Sequence, residues 1–319
     1  MSKSSPVQIL HHPLFEHFKV NVKIKRDDLI DPIVSGNKSR KLKFNLTHAK
    51  THGYKGILSF GGAYSNHIHA LAYACKTHDL QAIGIIRGET HYANNCTFSQ
   101  AKQWGMTLQF VDRVTYRLRS NKAYLQQLRQ QFPEYFIVPE GGSNALALLG
   151  IAEICHEINE NEQYDTLMTP VGSAGTISGL IIGDKGQHNI LGIAVLKQQD
   201  YLQEEVRNLL NNAEPDYEYA SHDNWQILAN YHGGGYAKFS QPDLQKIQDF
   251  SLITQVPFEP IYSGKMVLAL LDLVEKGYFK QGHRIMLLHT GGLQGLKGLI
   301  EQNKIKENEW PLPLALQAQ

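Results

Sequence analysis

The chain has 319 residues, of which 42% are hydrophobic and 19% are charged. This composition is typical of a globular protein with a buried core, and it excludes a largely disordered chain. Lys and Arg number 31 against 30 for Asp and Glu, which gives a net charge of +1. Because the charges balance, nothing indicates nucleic acid or an anionic membrane as a partner.

The cysteines are few and far apart in the sequence, at Cys75, Cys96 and Cys155. They predict unpaired thiols in a reducing compartment, and neither a disulfide framework nor a zinc site. His67 and His69 have no third ligand near them in sequence, so we expect no bound metal. No signal peptide and no apolar segment long enough to cross a membrane is recognisable, and we expect a cytoplasmic protein.

From residue 55 onward, short apolar segments alternate with longer amphipathic ones. The predicted strands span residues 56–60, 81–86, 107–111, 135–138, 165–169, 189–196 and 284–288. The predicted helices span residues 65–78, 97–104, 121–131, 145–159, 177–182, 201–212, 242–254 and 264–276, and residues 224–240 are predicted to form an irregular loop. Strands separated by helices of this length indicate an α/β fold with parallel sheets, in which ligands bind beyond the carboxyl ends of the strands.

A turn of small residues follows the predicted strand at 165–169. It consists of Gly172, Ser173, Ala174, Gly175 and Thr176, and an apolar helix follows it. Converging backbone N–H groups and the helix N-terminus make such a turn a phosphate site. The turn lacks the lysine of a Walker A loop and the glycine spacing of a dinucleotide site. Taken alone, it is equally well explained as an ordinary turn of small residues.

Lys38 lies in the segment 35–41 (SGNKSRK). A lysine that forms a Schiff base with a cofactor must be held in place and partly desolvated, so that its amine can be neutral when it acts as a base. By itself, however, Lys38 is one lysine among many, and a solvated surface charge is the more common explanation.

Three other turns carry polar side chains that could face a ligand. Ser65 and Asn66 follow a glycine pair at the start of a helix, where Ser65 can cap the helix and Asn66 can point its amide at a ligand. Tyr262 and Ser263 lie in the segment 260–265, and Thr290 precedes a glycine pair after the last predicted strand. Each turn also has an ordinary explanation as a capped helix, a packed tyrosine or a closing turn.

The order and spacing of these motifs are more specific than any one of them. They read GNKSRK, GGAYSNH, GGSN, GSAGT, YSGK and HTGG along the chain. This series resembles the 1-aminocyclopropane-1-carboxylate (ACC) deaminase / D-cysteine desulfhydrase family of fold type II enzymes that depend on pyridoxal 5′-phosphate (PLP), over residues 22–296. The resemblance implies a homodimer whose subunits have two α/β domains with PLP between them. The smaller domain would contain residues 46–140, and the larger would contain residues 1–45 and 141–319.

The resemblance also implies roles for individual residues. Lys38 would be the Schiff-base lysine, and Asn66 would donate a hydrogen bond to the PLP 3′-oxygen. Ser65 would lie near the substrate, as a carboxylate contact or in proton transfer. Residues 172–176 would bind the phosphate. Tyr262 would face the substrate, with Tyr236 as a second active-site tyrosine.

Within this family, ACC deaminases have Glu after the tyrosine, Leu at the position of Thr290 and typically Gln at the position of His67. Desulfhydrase-type members have Ser or Thr after the tyrosine, as in Ser263 here, and Thr before the glycine pair. A Glu beside the pyridine nitrogen keeps it protonated, which makes the ring a strong electron sink for opening a cyclopropane. A Ser partner favours a neutral nitrogen, and β-elimination of a thiol needs only a modest sink.

We therefore expect a PLP-dependent lyase that acts on a small D-amino acid. After the substrate displaces Lys38, the lysine removes the α-proton as general base, and the β-substituent leaves near Tyr262. The products would be pyruvate and ammonia, with hydrogen sulfide from D-cysteine. ACC deaminase activity and a non-catalytic PLP-binding protein remain as alternatives, whereas a dinucleotide-dependent oxidoreductase is disfavoured because no GxGxxG follows a strand.

Overall fold

The computed structural model describes residues 4–197, 199–213, 224–307 and 310. Parts of the predicted larger domain, residues 1–3, 198, 214–223, 308–309 and 311–319, lie outside them. Two sheets rich in parallel strands alternate with helices, which confirms the predicted α/β class. In the described part of the chain, no helix is both long and apolar enough to span a membrane.

The strands form one sheet of six and one of four in the described residues. In chain order they are β1 (Val7–Leu10), β2 (Asn21–Lys25), β3 (Gly56–Gly61), β4 (Gln81–Arg87), β5 (Met106–Val111), β6 (Tyr135–Ile137), β7 (Thr166–Val171), β8 (Asn189–Ala194), β9 (Trp225–Leu228) and β10 (Arg284–Leu288). The larger sheet has the order β1-β2-β10-β7-β8-β9 and the smaller β5-β4-β3-β6. Every pair is parallel except β1 with β2.

Helices connect the strands. They are α1 (Pro13–Phe18), α2 (Asn37–Thr51), α3 (Asn66–Thr77), α4 (Cys96–Gln103), α5 (Arg113–Arg117), α6 (Lys122–Gln131), α7 (Ala145–Asn159), α8 (Gly175–Asp184), α9 (Gln199–Ala213), α10 (Gln241–Thr254), α11 (Ser263–Glu275) and α12 (Gly295–Glu301). Most agree with the prediction to within one or two residues, because their apolar faces recur at helical spacing.

Both sheets are buried on both faces. In β10, Ile285 and Leu287 belong to one hydrophobic cluster, and Met286 and Leu288 belong to another. Because successive side chains of a strand point to opposite faces, the two clusters lie on opposite sides of the sheet. The predicted strands are continuous apolar segments for the same reason.

The prediction was wrong for residues 224–240, because they are not entirely irregular. Trp225–Leu228 forms β9, a four-residue strand that pairs with β8 at the edge of the larger sheet. Four residues ahead of a loop rich in Gly and His carry too little periodicity to identify a strand. The stability of β9 comes from its neighbour β8, which is distant in sequence.

The prediction also lacked α2, the helix that carries Lys38. Its buried positions include Arg40, Lys41 and Asn45 beside three apolar residues, so no apolar stripe is visible in the sequence. Arg40 is paired in the interior, with Asp27 at 3.1 Å and with Glu157 of α7. A charged side chain that is paired can be buried in the interior, as an apolar side chain can, but it adds nothing to the hydrophobic periodicity of the sequence.

The strands of the smaller sheet span residues 56–137, inside the segment predicted to form the smaller domain. The boundaries at residues 46 and 140 stay a prediction. Three of the parallel strands end in turns that carry predicted site residues. This places Ser65, Asn66, residues 172–176 and Thr290 at the carboxyl edges of the sheets.

Candidate active site

Lys38 is the second residue of α2, and the turn after β10 holds the start of that helix. The N–H of Asn37 donates to the carbonyl of Thr290 at 3.2 Å. Gly36 has a φ of +65°, and a Cβ there would lie 2.0 Å from the same carbonyl oxygen. Only glycine permits this approach. Gly36 therefore fixes the position of the first turn of α2, which carries Lys38, relative to the larger sheet.

The amine of Lys38 is partly buried, and its Nζ donates to Oδ1 of Asn37 at 2.7 Å. Burial lowers the pKa of Lys38 to about 8, against the opposing effect of the negative charge of Glu259. No ion pair of Lys38 occurs among the described residues. A lysine in this state supplies a neutral amine near neutral pH.

The turn predicted to bind phosphate lies between β7 and α8. Ala174 caps α8 with a φ of 58°, and the N–H of Gly175 donates to the carbonyl of Ser173 at 2.7 Å. Nδ2 of Asn37 donates to Oγ1 of Thr176 at 2.8 Å. The turn therefore begins a ten-residue helix directly beside the residue that precedes Lys38. Gly172 completes the turn at the end of β7.

Lys41 is a site residue that the sequence analysis missed. Its buried Nζ lies 3.0 Å from Oγ of Ser143 and 3.5 Å from Oγ of Ser173. Burial lowers its pKa well below the usual value, and Lys38 adds to the effect. A phosphate in the turn would place negative charge beside this amine. In the sequence, the available indication of this role was that Lys41 follows Lys38 by three residues, which places both on the same side of a helix.

Two predicted residues lie at the start of α3. Ser65 caps the helix, accepting a hydrogen bond from the N–H of Ile68 at 3.2 Å. A Cβ on Gly292 would lie 3.0 Å from Nδ2 of Asn66. Asn66 follows a strand of the smaller sheet. Its side chain thus lies close to the glycine pair that follows Thr290 in the larger sheet. The roles expected for Ser65 and Asn66 toward a ligand stay predictions.

The two predicted tyrosines lie together beside the phosphate turn. Their hydroxyl groups are 3.4 Å apart, and their rings pack edge to face with centroids 5.9 Å apart. A Cβ on Gly172 would lie 3.1 Å from Cε1 of Tyr262. Tyr236 follows a glycine segment that Lys265 holds through the carbonyl of Gly235 at 2.7 Å.

Ser263 is fully buried, and its hydroxyl has a carboxylate partner that the sequence analysis missed. Oγ of Ser263 lies 3.0 Å from Oε1 of Glu259, whose carboxylate also accepts the N–H groups of residues 261, 262 and 263. Burial raises the pKa of Glu259 to about 7, while these hydrogen bonds oppose the shift. A spacing of four residues before Ser263 was the only signal in the sequence.

His67, which the family comparison singled out, contacts the smaller sheet. Its Nε2 lies 2.8 Å from Oγ of Ser59, and burial lowers its pKa to about 3. His69 instead lies 3.0 Å from Oε1 of Gln100. Throughout the described residues, no three His, Cys, Asp or Glu side chains are grouped as metal ligands.

A cavity of about 850 Å³ at the opposite edge of the larger sheet contains none of the predicted site residues, and it is lined by the first residues of β2 and β10. The chemistry is grouped instead around Lys38, at the carboxyl ends of β7, β10 and β3. These residues fit PLP. A partly buried amine of lowered pKa lies near a helix N-terminus, with the buried amine of Lys41 beside the turn.

Comparison with known proteins agrees with this assignment. A family model described as "Pyridoxal-phosphate dependent enzyme" matches residues 5–291. A putative ACC deaminase of Pyrococcus abyssi is 27% identical over 92% of this chain and 90% of its own length. A bifunctional mitochondrial D-cysteine desulfhydrase/ACC deaminase of Arabidopsis thaliana is 27% identical over 90% of this chain and 76% of its own length.

Among solved structures, the crystal structure of an ACC deaminase homologue has a TM-score of 0.79 and 26% identity, covering 94% of this chain and 93% of its own. The family match, these relatives and a lysine beside the turn that is predicted to bind phosphate agree with one another. The chain therefore belongs to the PLP-dependent enzymes, in the group that contains the ACC deaminases and the D-cysteine desulfhydrases.

Proposed function

We propose that the protein catalyses β-elimination from a small D-amino acid, and that it converts D-cysteine and water to pyruvate, ammonia and hydrogen sulfide. The observation that carries the choice of reaction is the residue after Tyr262. It is Ser263, and both oxygens of the nearby Glu259 carboxylate are already occupied by backbone N–H groups and the Ser263 hydroxyl. The group that this position offers to a ring nitrogen is therefore a hydroxyl, which donates its proton to the nitrogen when it turns away from Glu259.

PLP, when bound, supplies the electron sink that makes the α-proton of an amino acid acidic. Lys38 is suited to remove that proton, because a pKa of about 8 leaves part of its amine neutral near pH 7. Asn37 orients this amine through the contact from Lys38 Nζ to its side-chain oxygen. Lys38 can then return the proton to solvent or to the departing group.

The tyrosine pair is suited to the departing thiol. The hydroxyl of Tyr262 donates to the hydroxyl of Tyr236, and Tyr236 as a residue is 43% exposed. As the C–S bond breaks, Tyr262 can give its hydroxyl proton to the sulfur and take one from Tyr236, which reverses the hydrogen bond between the two tyrosines. The N-terminus of α3, with Ser65 and Asn66, is suited to the substrate carboxylate because it carries partial positive charge.

The direct test is to incubate the purified, PLP-loaded protein with D-cysteine, L-cysteine and ACC and to assay the 2-oxo acid formed. We expect pyruvate and sulfide from D-cysteine. Lys38→Ala should lower this rate by about 10³-fold or more, as loss of a base that also holds the cofactor requires. Lys43→Ala, on the same helix, is the matched control. Turnover of ACC without turnover of D-cysteine would contradict the proposal.

ACC deaminase activity is the second candidate, because the Ser263 hydroxyl has a carboxylate partner. A hydroxyl that donates to Glu259 can accept a hydrogen bond from a protonated ring nitrogen, which would strengthen the electron sink. This reaction would give 2-oxobutanoate in the same assay. A non-catalytic role would appear as a borohydride-sensitive absorbance band that Lys38→Ala abolishes, with no 2-oxo acid from any substrate.

A further inference from the structure

A second group of cations lies beside the proposed active site, at the carboxyl ends of β4 and β5. Arg87 is the last residue of β4, and Arg113 begins α5 just after β5. A Cβ on Gly62 would lie 3.3 Å from Nη2 of Arg87. Gly62 belongs to the turn that leads into Ser65 and Asn66. The side chain of Arg87 therefore lies beside the turn that carries these two predicted site residues.

These cations line a cavity of about 450 Å³. Its lining residues include Ala63, Arg87, Arg113, Tyr116, Arg117 and Arg119. A cavity of this size accommodates a small-molecule group. Because the carboxyl ends of β3 and β4 are neighbours, it opens at the sheet edge where a substrate of the adjacent site would lie.

Tyr116 forms the floor of this cavity and is held rigidly. It is 2% exposed, and its hydroxyl donates to Oε1 of Glu140 at 2.6 Å. The guanidinium of Arg87 lies over the Tyr116 ring, 5.7 Å from its centroid. The stacking restricts the guanidinium while leaving its N–H groups available.

The acidic groups near the cavity act on Arg119. Glu140 forms an ion pair with Arg119. Burial and the negative charge of Glu204 raise the pKa of Glu205, and Arg119 opposes this rise. Arg87, Arg113 and Arg117 have no ion pair within the described ranges. Three guanidinium groups that line one cavity and form no ion pair there are suited to binding a carboxylate, phosphate or sulfonate.

We propose that this arginine pocket, formed by Arg87, Arg113 and Arg117, binds an anionic group at the distal end of the substrate. The inference rests on the proposed function, because the α-amino acid end would still react at Lys38. It narrows the natural substrate to amino acids with a negatively charged side chain. D-Cysteine would then be a small substrate that reacts without occupying the pocket.

The test compares isosteric amino acids that differ in side-chain charge. The PLP-loaded enzyme is titrated with D-aspartate and D-asparagine, and with D-glutamate and D-glutamine, while the change in cofactor absorbance is followed. In at least one pair, the anionic member should bind about tenfold more tightly, as expected for a hydrogen bond to a charged group. Because Arg87 is exposed, the preference should decrease as salt is added.

Variants locate the effect. Arg87→Met should reduce the ratio of affinities to about one, and Arg87→Lys should keep part of it. Arg129→Met, which removes an exposed arginine of α6 outside the pocket, should keep the full ratio. A wild-type ratio near one in both pairs, or a full ratio in Arg87→Met, overturns the inference.

D-Cysteine turnover is measured on the same preparations. An anion preference without D-cysteine turnover contradicts the proposed reaction and supports the pocket. Turnover of D-cysteine without any preference contradicts the pocket alone. No absorbance change with any of the four amino acids would overturn the pocket as a substrate site.

Discussion

At the scale of single residues, two opposing effects set the charge of Lys38. Removal of solvent disfavours the ammonium form, and the negative charge of Glu259 favours it. Burial has the larger effect, so the pKa falls to about 8. The amine is therefore protonated below that pH and becomes neutral as the pH rises through it.

This state of Lys38 predicts its reactivity in the cofactor-free protein. A reagent that neutral amines attack, such as trinitrobenzenesulfonate, should modify Lys38 with a midpoint near pH 8, because about a tenth of its amine is neutral at pH 7. Peptide mass spectrometry across a pH series measures the rate. Ordinary lysines, with midpoints above pH 10, provide the internal control. A midpoint in their range would show that Lys38 is not desolvated.

At the scale of elements, the start of α2 depends on one glycine. Gly36 and Gly53 precede and follow this helix, with φ values of +65° and +71°. A Cβ on Gly36 would lie 2.0 Å from the Thr290 carbonyl oxygen, whereas a Cβ on Gly53 would meet nothing within 4 Å. Both positions have a positive φ, but Gly36 also has a ψ of −143°, a region open essentially to glycine alone, and only its Cβ would make a close contact.

Replacing each glycine separates these contributions. Gly53→Ala should lower the free energy of unfolding by about 1–2 kcal/mol through strain at positive φ. Gly36→Ala should cost at least ~2 kcal/mol more, because the turn after β10 must move. Urea unfolding measures both, and PLP affinity should fall only in Gly36→Ala. Equal costs in the two variants would show that the turn relaxes freely.

At the scale of the whole molecule, the proposed site draws residues from both sheets. Asn66 follows a strand of the smaller sheet, and Ser173 and Thr290 follow strands of the larger one. A cofactor that contacts all of these residues binds only the folded chain. Its binding therefore adds to the free energy of unfolding by mass action.

Removing the cofactor should consequently destabilise the protein. At PLP concentrations about 100 times the dissociation constant, binding adds about 2.7 kcal/mol. For a chain of this length, that corresponds to a fall in Tm of about 4 °C when PLP is removed. Scanning calorimetry of the loaded and stripped protein measures it, with Lys38→Ala as a control whose difference should be smaller. Equal Tm values would contradict binding across both sheets.

The sequence by itself determined the α/β class and most helices and strands, because strands buried on both faces read as apolar segments and amphipathic helices as periodic ones. The order of short motifs was enough to indicate the family and its cofactor. Glycine turns after strands indicated the proposed site, since ligands bind at the carboxyl edges of parallel sheets.

Only the tertiary structure decided which other polar residues lie at or beside the proposed site. Lys41, Glu259 and Arg87 have partners or neighbours set by the fold: Lys41 lies beside Ser143, and Arg87 stacks on Tyr116. Glu259 is close to Ser263 in sequence, but its burial depends on packing around β10 and α11. Desolvation and charge pairing act through space between distant segments, so no local pattern of residues contains them.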